Sequence, residues 1–456
     1  MRIAPNRFSC LLCSGLYAAT LMALPAKERP NIILFLADDL GYGDLGCYGN
    51  HSVETSHIDQ LAREGIRFTD FHSNGPMCTP TRASLMTGLY PQRLGQAFES
   101  ALNGKRHRHL GLPSTLLTLP EQLLASGYHT AMFGKWHLGY QPPNLPTNHG
   151  FQTFIGLTSG DGDHHTHVDR SGNADWWHDE KRVEERGYTA DLITQHAIDA
   201  IKANRENPFF LYVAHLGIHF PWQRREDPGY RQVGEDYWND KLGRLETKDV
   251  SQYSRSMIES IDDSLGEIVT TIKECGLEEN TLLLFLSDNG GYLTYSGGYH
   301  NISSNGLLRG EKTELYEGGH RVPCIAWWPG SIAGNQTTSA ITMTMDLMPT
   351  ILSIAQIDRP VGPLDGIDLS DHLLNSVPIK GRTLFWKMDN EAAIRQGVWK
   401  LIQNERQQPE LFNLQQDLSE SHPRDDHPEK LANLQAVLSQ WLEETVPDNE
   451  LPIEDR

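Results

Sequence analysis

Three uninterrupted apolar runs constrain this chain more than anything else in it: Asn31–Ala37 (NIILFLA), 208–214 (PFFLYVA) and Thr281–Ser287 (TLLLFLS). Each has the length of a strand and none alternates with polar residues, so each needs apolar cover on both faces. Strands of that kind belong to parallel sheets, whose crossover helices supply the cover. Helical stretches fall between them. Residues 118–127 open with a capping box, Thr118 to Glu121 around Pro120, and stop at Gly127. Residues 191–204 and 251–275 read as amphipathic helices, the second closed by Gly276. Shorter strands are expected at 129–133 and 322–328, and a helix at 345–356. The alternation predicts an α/β fold built on a large, mixed, mostly parallel sheet sandwiched by helices. Beyond Pro360, Pro363 and Gly366 the pattern changes. Candidate strands at Thr383–Met388 and 398–403 and a helix near 428–444 predict a small C-terminal α+β subdomain. The expected division is a leader at 1–26, a main domain at 27–378 and the subdomain at 379–456.

Composition narrows the partners. A net charge of −20 argues against nucleic acid, because neutralising phosphates requires a basic surface. A small anion is still compatible, since a cationic pocket can sit inside an acidic protein. At the N-terminus Arg2 and Arg7 precede an apolar stretch over 11–24, with Ala23 and Ala26 as candidate cleavage positions. That order reads as a secretion signal, so export to the periplasm or beyond is expected. The stretch is too short and too interrupted for stable membrane insertion. Of the six cysteines, Cys10 and Cys13 fall in the leader. Cys47, Cys78, Cys275 and Cys324 are spaced neither as a metal site nor as a disulfide framework.

Chemistry concentrates just after the strands. Asp38 and Asp39 follow the first apolar run, and Asp288 and Asn289 follow the third. Ligands of open α/β sheets bind beyond the carboxyl ends of strands. Three carboxylates and an amide oxygen meeting there form a hard, all-oxygen set suited to Ca²⁺ or Mg²⁺, although a single Asp in such a place more often caps a turn. Cys78-Thr79-Pro80-Thr81-Arg82 leads into a helical stretch ending at Gly88. Pro80 suits a first turn, so Cys78 heads the helix, where free N–H groups favour an anion. Arg82, four residues on, shares its face. By themselves these residues read as a reactive thiol or as a buried small residue. Lys135 and His137, His215 and His219, and Lys312 with His320 occupy further loops after strands.

In these elements together, from Asn31 to the Glu410-Leu411-Phe412-Asn413-Leu414 segment, the chain resembles the formylglycine-dependent sulfatases of the alkaline phosphatase superfamily. The resemblance implies an alkaline phosphatase-like fold and a sulfuric ester hydrolase whose catalytic domain is the larger one. It implies that Cys78 is converted to formylglycine (3-oxoalanine) by a dedicated maturase, and that the hydrate of that group is the nucleophile. Asp38, Asp39, Asp288 and Asn289 would bind calcium with residue 78, magnesium being the lesser alternative. Arg82 would hold the hydrate, Lys135 and Lys312 the sulfate oxygens. His137 would take a proton from the hydrate, and His219, set before Phe220-Pro221, would protonate the leaving oxygen.

The segment 159–177 (SGDGDHHTHVDRSGNADWW) carries His164, His165, His167, Arg170, Trp176 and Trp177. Imidazoles for hydroxyls and indoles for stacking suit a sulfated saccharide, and His215 and His320 join that expected binding set. A second basic run, 105–109 (KRHRH), is either a solvated face or a contact for an anionic polymer. Two other readings stand beside this one: a phosphomonoester or phosphonate-ester hydrolase of the same superfamily, and a glycan-binding protein if Cys78 stays a thiol.

Overall fold

The structure is a computed structural model that describes residues 29–239, 245, 247–357, 362–404 and 406–445. The expected leader and its two cysteines lie outside the described residues. The main sheet has ten strands: β1 (Asn31–Ala37), β2 (Ile66–Phe68), β3 (His129–Lys135), β4 (Thr153–Leu157), β5 (Trp177–His178), β6 (Lys181–Arg182), β7 (Phe209–Ala214), β8 (Thr281–Ser287), β9 (Cys324–Trp327) and β10 (Gln336–Thr338). Their spatial order is β10-β2-β9-β8-β1-β7-β3-β4-β5-β6. The central five, β8-β1-β7-β3-β4, are mutually parallel, and β9 joins β8 antiparallel.

The three apolar runs are thus adjacent, and every residue of β1, β7 and β8 is buried. Period-2 geometry splits each between two cores. Ile32, Leu34 and Leu36 face the helices Cys78–Thr87, Leu119–Ala125 and Leu347–Ile354. Ile33, Phe35 and Ala37 face Ser56–Glu64, Thr189–Ala203 and Ser251–Glu274. Each such Leu, Ile or Phe contributes roughly 1.5–3 kcal/mol relative to exposure, so a polar residue within the runs would be costly. The capping box at Thr118 forms: its Oγ1 accepts from Glu121 N, and Glu121 Oε2 accepts from Thr118 N.

Register sets the site. Leu36 lies opposite both Ala214 and Leu286, Ala37 opposite Ser287, and Gly134 opposite Ala214. The residues that follow, Asp38, Asp288, His215 and Lys135, therefore leave the sheet at one level along its carboxyl edge. The strand expected at 129–133 runs two residues further, so Lys135 ends it.

After the main sheet, Thr383–Met388, Glu391–Gln396, Trp399–Asn404 and Glu410–Asn413 form an antiparallel sheet in chain order, covered by the helix Pro428–Thr445. Its core of Leu384, Trp386, Ile394, Leu401, Leu434 and Leu438 also takes in Leu315, Met343 and Met345 from the preceding chain. Among the described residues no helix is long and apolar enough to cross a membrane.

Candidate active site

The helix Cys78–Thr87 starts after an extended Met77 and ends at Gly88, whose left-handed φ of 68° lets its N–H reach Ser84 O. Cys78 heads the helix, 2% exposed, directly over the sheet edge. Ligand atoms of Asp38, Cys78 and Asp288 lie within 4.8 Å of one another, all buried.

Three cations hold the acids. Arg82 Nε and Nη2 donate to Asp288 Oδ2 at 3.0 and 2.8 Å, and its Nη1 donates to Lys135 O at 2.7 Å. Lys135 Nζ pairs with Asp38 Oδ2 and Lys312 Nζ with Asp39 Oδ1, each at 2.5 Å. Asn289 Nδ2 donates to Asp39 Oδ1 at 2.8 Å. Asp39 sits in the left-handed region, φ 63°, which turns the chain back so that its N–H also reaches Asp288 Oδ1 at 3.2 Å. Burial and then the Asp288 charge push the Asp38 carboxyl well above its ordinary value despite Lys135. At Asp288 burial pulls upward too, but Arg82, Lys135 and Lys312 outweigh it and hold the group below its ordinary value. Burial acts against the Lys312 ammonium, yet Asp39 and Cys78 hold it well above its ordinary value.

Two buried oxygens in this cluster, Asp38 Oδ1 and Asn289 Oδ1, have no hydrogen-bond partner among the described residues. A buried acceptor left so is costly, and a hard cation would satisfy both. The residues therefore fit calcium or magnesium.

His137 Nε2 lies 2.9 Å from Leu102 O, which can only accept. The neutral ring therefore carries its proton on Nε2 and turns the bare Nδ1 toward Cys78 Sγ, 3.1 Å away. Burial, then the Lys135 charge, push His137 well below its ordinary pKa. Its backbone is left-handed, φ 56°, and Gly160 packs on the ring so closely that a Cβ there would meet Cε1 at 2.4 Å. His219 Nδ1 donates to Phe220 O at 2.8 Å, leaving Nε2 toward Asp39 Oδ2 at 3.9 Å. Burial followed by Lys135 and Lys312 depresses its pKa as well.

Cys78, His137, His219 and Lys312 line the floor of an open cleft of about 190 Å³, whose walls include Asn103, Tyr140, Asp161, Asp169, Arg170, Phe220, Trp238, Tyr292 and Tyr295. Of the expected saccharide-binding set, only Arg170 reaches this cleft. His215 Nε2 meets Ser264 Oγ at 2.8 Å under the helix Ser251–Glu274, and its ring packs on Phe35. His167 stacks on Trp176 at 4.4 Å, His164 on Tyr188 at 5.6 Å, and His165 Nε2 bonds to Arg224 O. Trp176 donates to Glu185 and Trp177 to Asp175. His320 stacks on Trp386 at 4.2 Å, beside the C-terminal sheet. These rings serve packing: the Gly-rich segment folds back on itself, and its acids cap its own backbone. Conversely, Asp161 lies within the segment 159–177, while Trp238, Tyr292 and Tyr295 carry no local signal that distinguishes them from other loop aromatics.

Residues 30–357 match the Sulfatase family. The N-acetylgalactosamine-6-sulfatase of Rattus norvegicus is 34% identical over 408 residues, covering 86% of this chain and 74% of that protein. Arylsulfatase A of Homo sapiens is 34% identical over 429 residues, covering 87% and 78%. A solved structure of Ps i-CgsB in complex with k-i-k-neocarrahexaose superposes with a TM-score of 0.80 at 27% identity, covering 93% of this chain and 94% of that one. The α/β fold with its carboxyl-edge acid cluster is that of a sulfuric ester hydrolase. The chain belongs to the sulfatase family.

Proposed function

We propose that this sulfatase removes sulfate from a carbohydrate chain, using a formylglycine made from Cys78 and a calcium ion held by Asp38, Asp39, Asp288 and Asn289 with residue 78. The observation that carries the reading is the meeting of Cys78 Sγ, the bare Nδ1 of His137 and the unpartnered Asp38 Oδ1 cluster at the floor of one cleft. Formylglycine would supply a hydroxyl nucleophile there, and calcium would supply positive charge against the sulfate oxygens.

The chain's own groups do the rest. Lys312, and Lys135 behind it, place ammonium charge where a sulfate monoester brings its negative charge. Arg82 orients Asp288 through a two-pronged contact and keeps that carboxylate ionised. His137 Nδ1 takes a proton from the side chain at position 78, its tautomer set by Leu102 O. His219, anchored through Nδ1–H on Phe220 O, turns Nε2 to the leaving oxygen and protonates it in the imidazolium form, which the negative charge of the bound ester favours.

A carbohydrate substrate is supported by the cleft and by the relatives. Roughly 300–1,000 Å³ suits a drug-sized ligand, and the smaller cleft here suits one sugar unit with the rest of a chain outside. One relative is named for a sugar sulfate, and the superposing structure holds an oligosaccharide. Export, read from Arg2, Arg7 and the apolar stretch over 11–24, would bring the enzyme to such polymers after its maturase has acted.

The test is a panel of sulfated hexoses, hexosamines and oligosaccharides, assayed with Cys78→Ala as control. The peptide containing residue 78 is expected to have the mass of an aldehyde, not of a thiol. Cys78→Ala should remove turnover without unfolding the protein, and a chelator should inactivate the enzyme until calcium is restored. Turnover persisting in Cys78→Ala, or aryl sulfates hydrolysed with every sugar refused, would refute the mechanism or the substrate class respectively.

A further inference from the structure

One cation on the cleft wall is left over by this chemistry. Arg170 Nε donates to Asp161 Oδ1 at 2.8 Å, and its side chain is 20% exposed. Its Cζ stands 5.1 Å from the Phe220 ring and 4.9 Å from the Trp238 ring. Among the described residues neither Nη has a hydrogen-bond acceptor. The Phe220 ring in turn lies 4.2 Å from the ring of His219. The guanidinium thus stands one aromatic ring from the group placed at the leaving oxygen, in the wall of the same cleft.

Local acids do not use up its charge. Asp161 is shared, because its Oδ2 also accepts from Arg231 Nη2 at 3.1 Å. The other cleft acid, Asp169, is occupied by its own turn: its oxygens accept from Ser171 N, Asn173 N and Asn173 Nδ2, all within 3.1 Å. A planar fork with two free prongs, fixed between two rings, matches the paired oxygens of a sulfate or carboxylate.

We infer that Arg170 binds a second anionic group of the substrate, so that the enzyme prefers a sugar sulfate accompanied by another sulfate or a carboxylate. This rests on the carbohydrate reading above and narrows its substrate class to dianionic saccharides.

The probes are N-acetylgalactosamine 6-sulfate, its 4,6-disulfate, and the 6-sulfate joined to glucuronate; all three carry the same target ester, and the last two separate sulfate from carboxylate as the second group. Matured wild-type enzyme should show kcat/KM about tenfold to a hundredfold higher on at least one dianionic probe, mainly through KM, as a charged hydrogen-bond pair implies. Arg170→Gln should bring that ratio near one. Arg170→Lys, which keeps charge but not the fork, should restore it only in part. Turnover of all three probes at similar kcat/KM overturns the inference and leaves the carbohydrate reading standing, as does a preference that survives in folded Arg170→Gln. Should that variant not fold, the wild-type ratio alone decides. Hydrolysis of aryl sulfate with these probes and every sugar of the wider panel refused overturns both.

Discussion

At the scale of single residues, the site is a set of atoms held by backbone they did not choose. His137 keeps its Nδ1 on residue 78 because its φ is left-handed and because Gly160 leaves the ring its space. Gly160→Ala is therefore expected to displace the imidazole. Misplacement on the order of 1 Å can cost about a hundredfold in rate, so kcat should fall by one to two orders while the thermal midpoint barely moves; an unchanged kcat would contradict the packing argument. The two histidines after β7 differ in kind. His219→Ala should damage unactivated sugar sulfates far more than aryl sulfates, since phenolates leave without acid help. His215, tied to Ser264 and Phe35, should give no such dependence on leaving group when replaced. A leaving-group series on both variants checks this, and a steep slope for His215→Ala would reverse the assignment.

At the scale of elements, the segment 159–177 and the start of the loop after β7 contain histidines buried neutral. Burial drives His164 and His167 down to about 4 and His215 to about 3. A folded-state pKa below the unfolded value means that the unfolded chain binds more protons between the two. Stability is then full above pH 6.5 and falls as pH drops toward 4. At pH 5 each ring should cost about 1–2 kcal/mol. Urea unfolding at pH 7.5 and 5 should show the decline, and His215→Gln, which preserves a partner for Ser264, should flatten it by about one proton. A stability independent of pH across that range would rule out neutral burial.

At the scale of the whole molecule, the C-terminal sheet is joined to the main one by buried charge. Lys400 Nζ lies 3.0 Å from Glu317 Oε1 and 2.9 Å from Glu420 Oε1. Arg395 holds both oxygens of Asp70, at 2.6 and 2.7 Å, and His72 and His320 sit between these pairs. The turn that carries Glu317 also touches the site, because Gly290 N, next to Asn289, donates to Gly319 O at 2.9 Å. Lys400→Met would leave two buried carboxylates facing each other. Breaking such a pair costs about 3–5 kcal/mol, so the denaturation midpoint should drop sharply, and adding Glu420→Gln should recover part of the loss. A Lys400→Met protein as stable as wild type would show that the network is not what couples the two sheets.

What the sequence determined by itself follows from local physics. The runs at 31–37 and 281–287 could only be doubly covered strands, the capping box at Thr118 could only start a helix, and Pro80 with Gly88 bounded the helix that Cys78 heads. The Asp38-Asp39 and Asp288-Asn289 pairs were legible for the same reason, because strand ends carry ligands in open sheets. Short strands such as Thr153–Leu157 and Glu391–Gln396 were not, since so few residues carry no decisive period. The loop residues were least legible of all. Imidazoles and indoles at 164–177 look alike in sequence whether they face a ligand or one another, and only the closing of the segment on Asp161, Asp163 and Asp175 turned most of them inward. Arg170 faces the cleft and Trp238 joins it from a segment some seventy residues away because tertiary packing brings them there. Contacts between distant loops depend on how the scaffold spaces its strand ends, and no local pattern encodes that spacing.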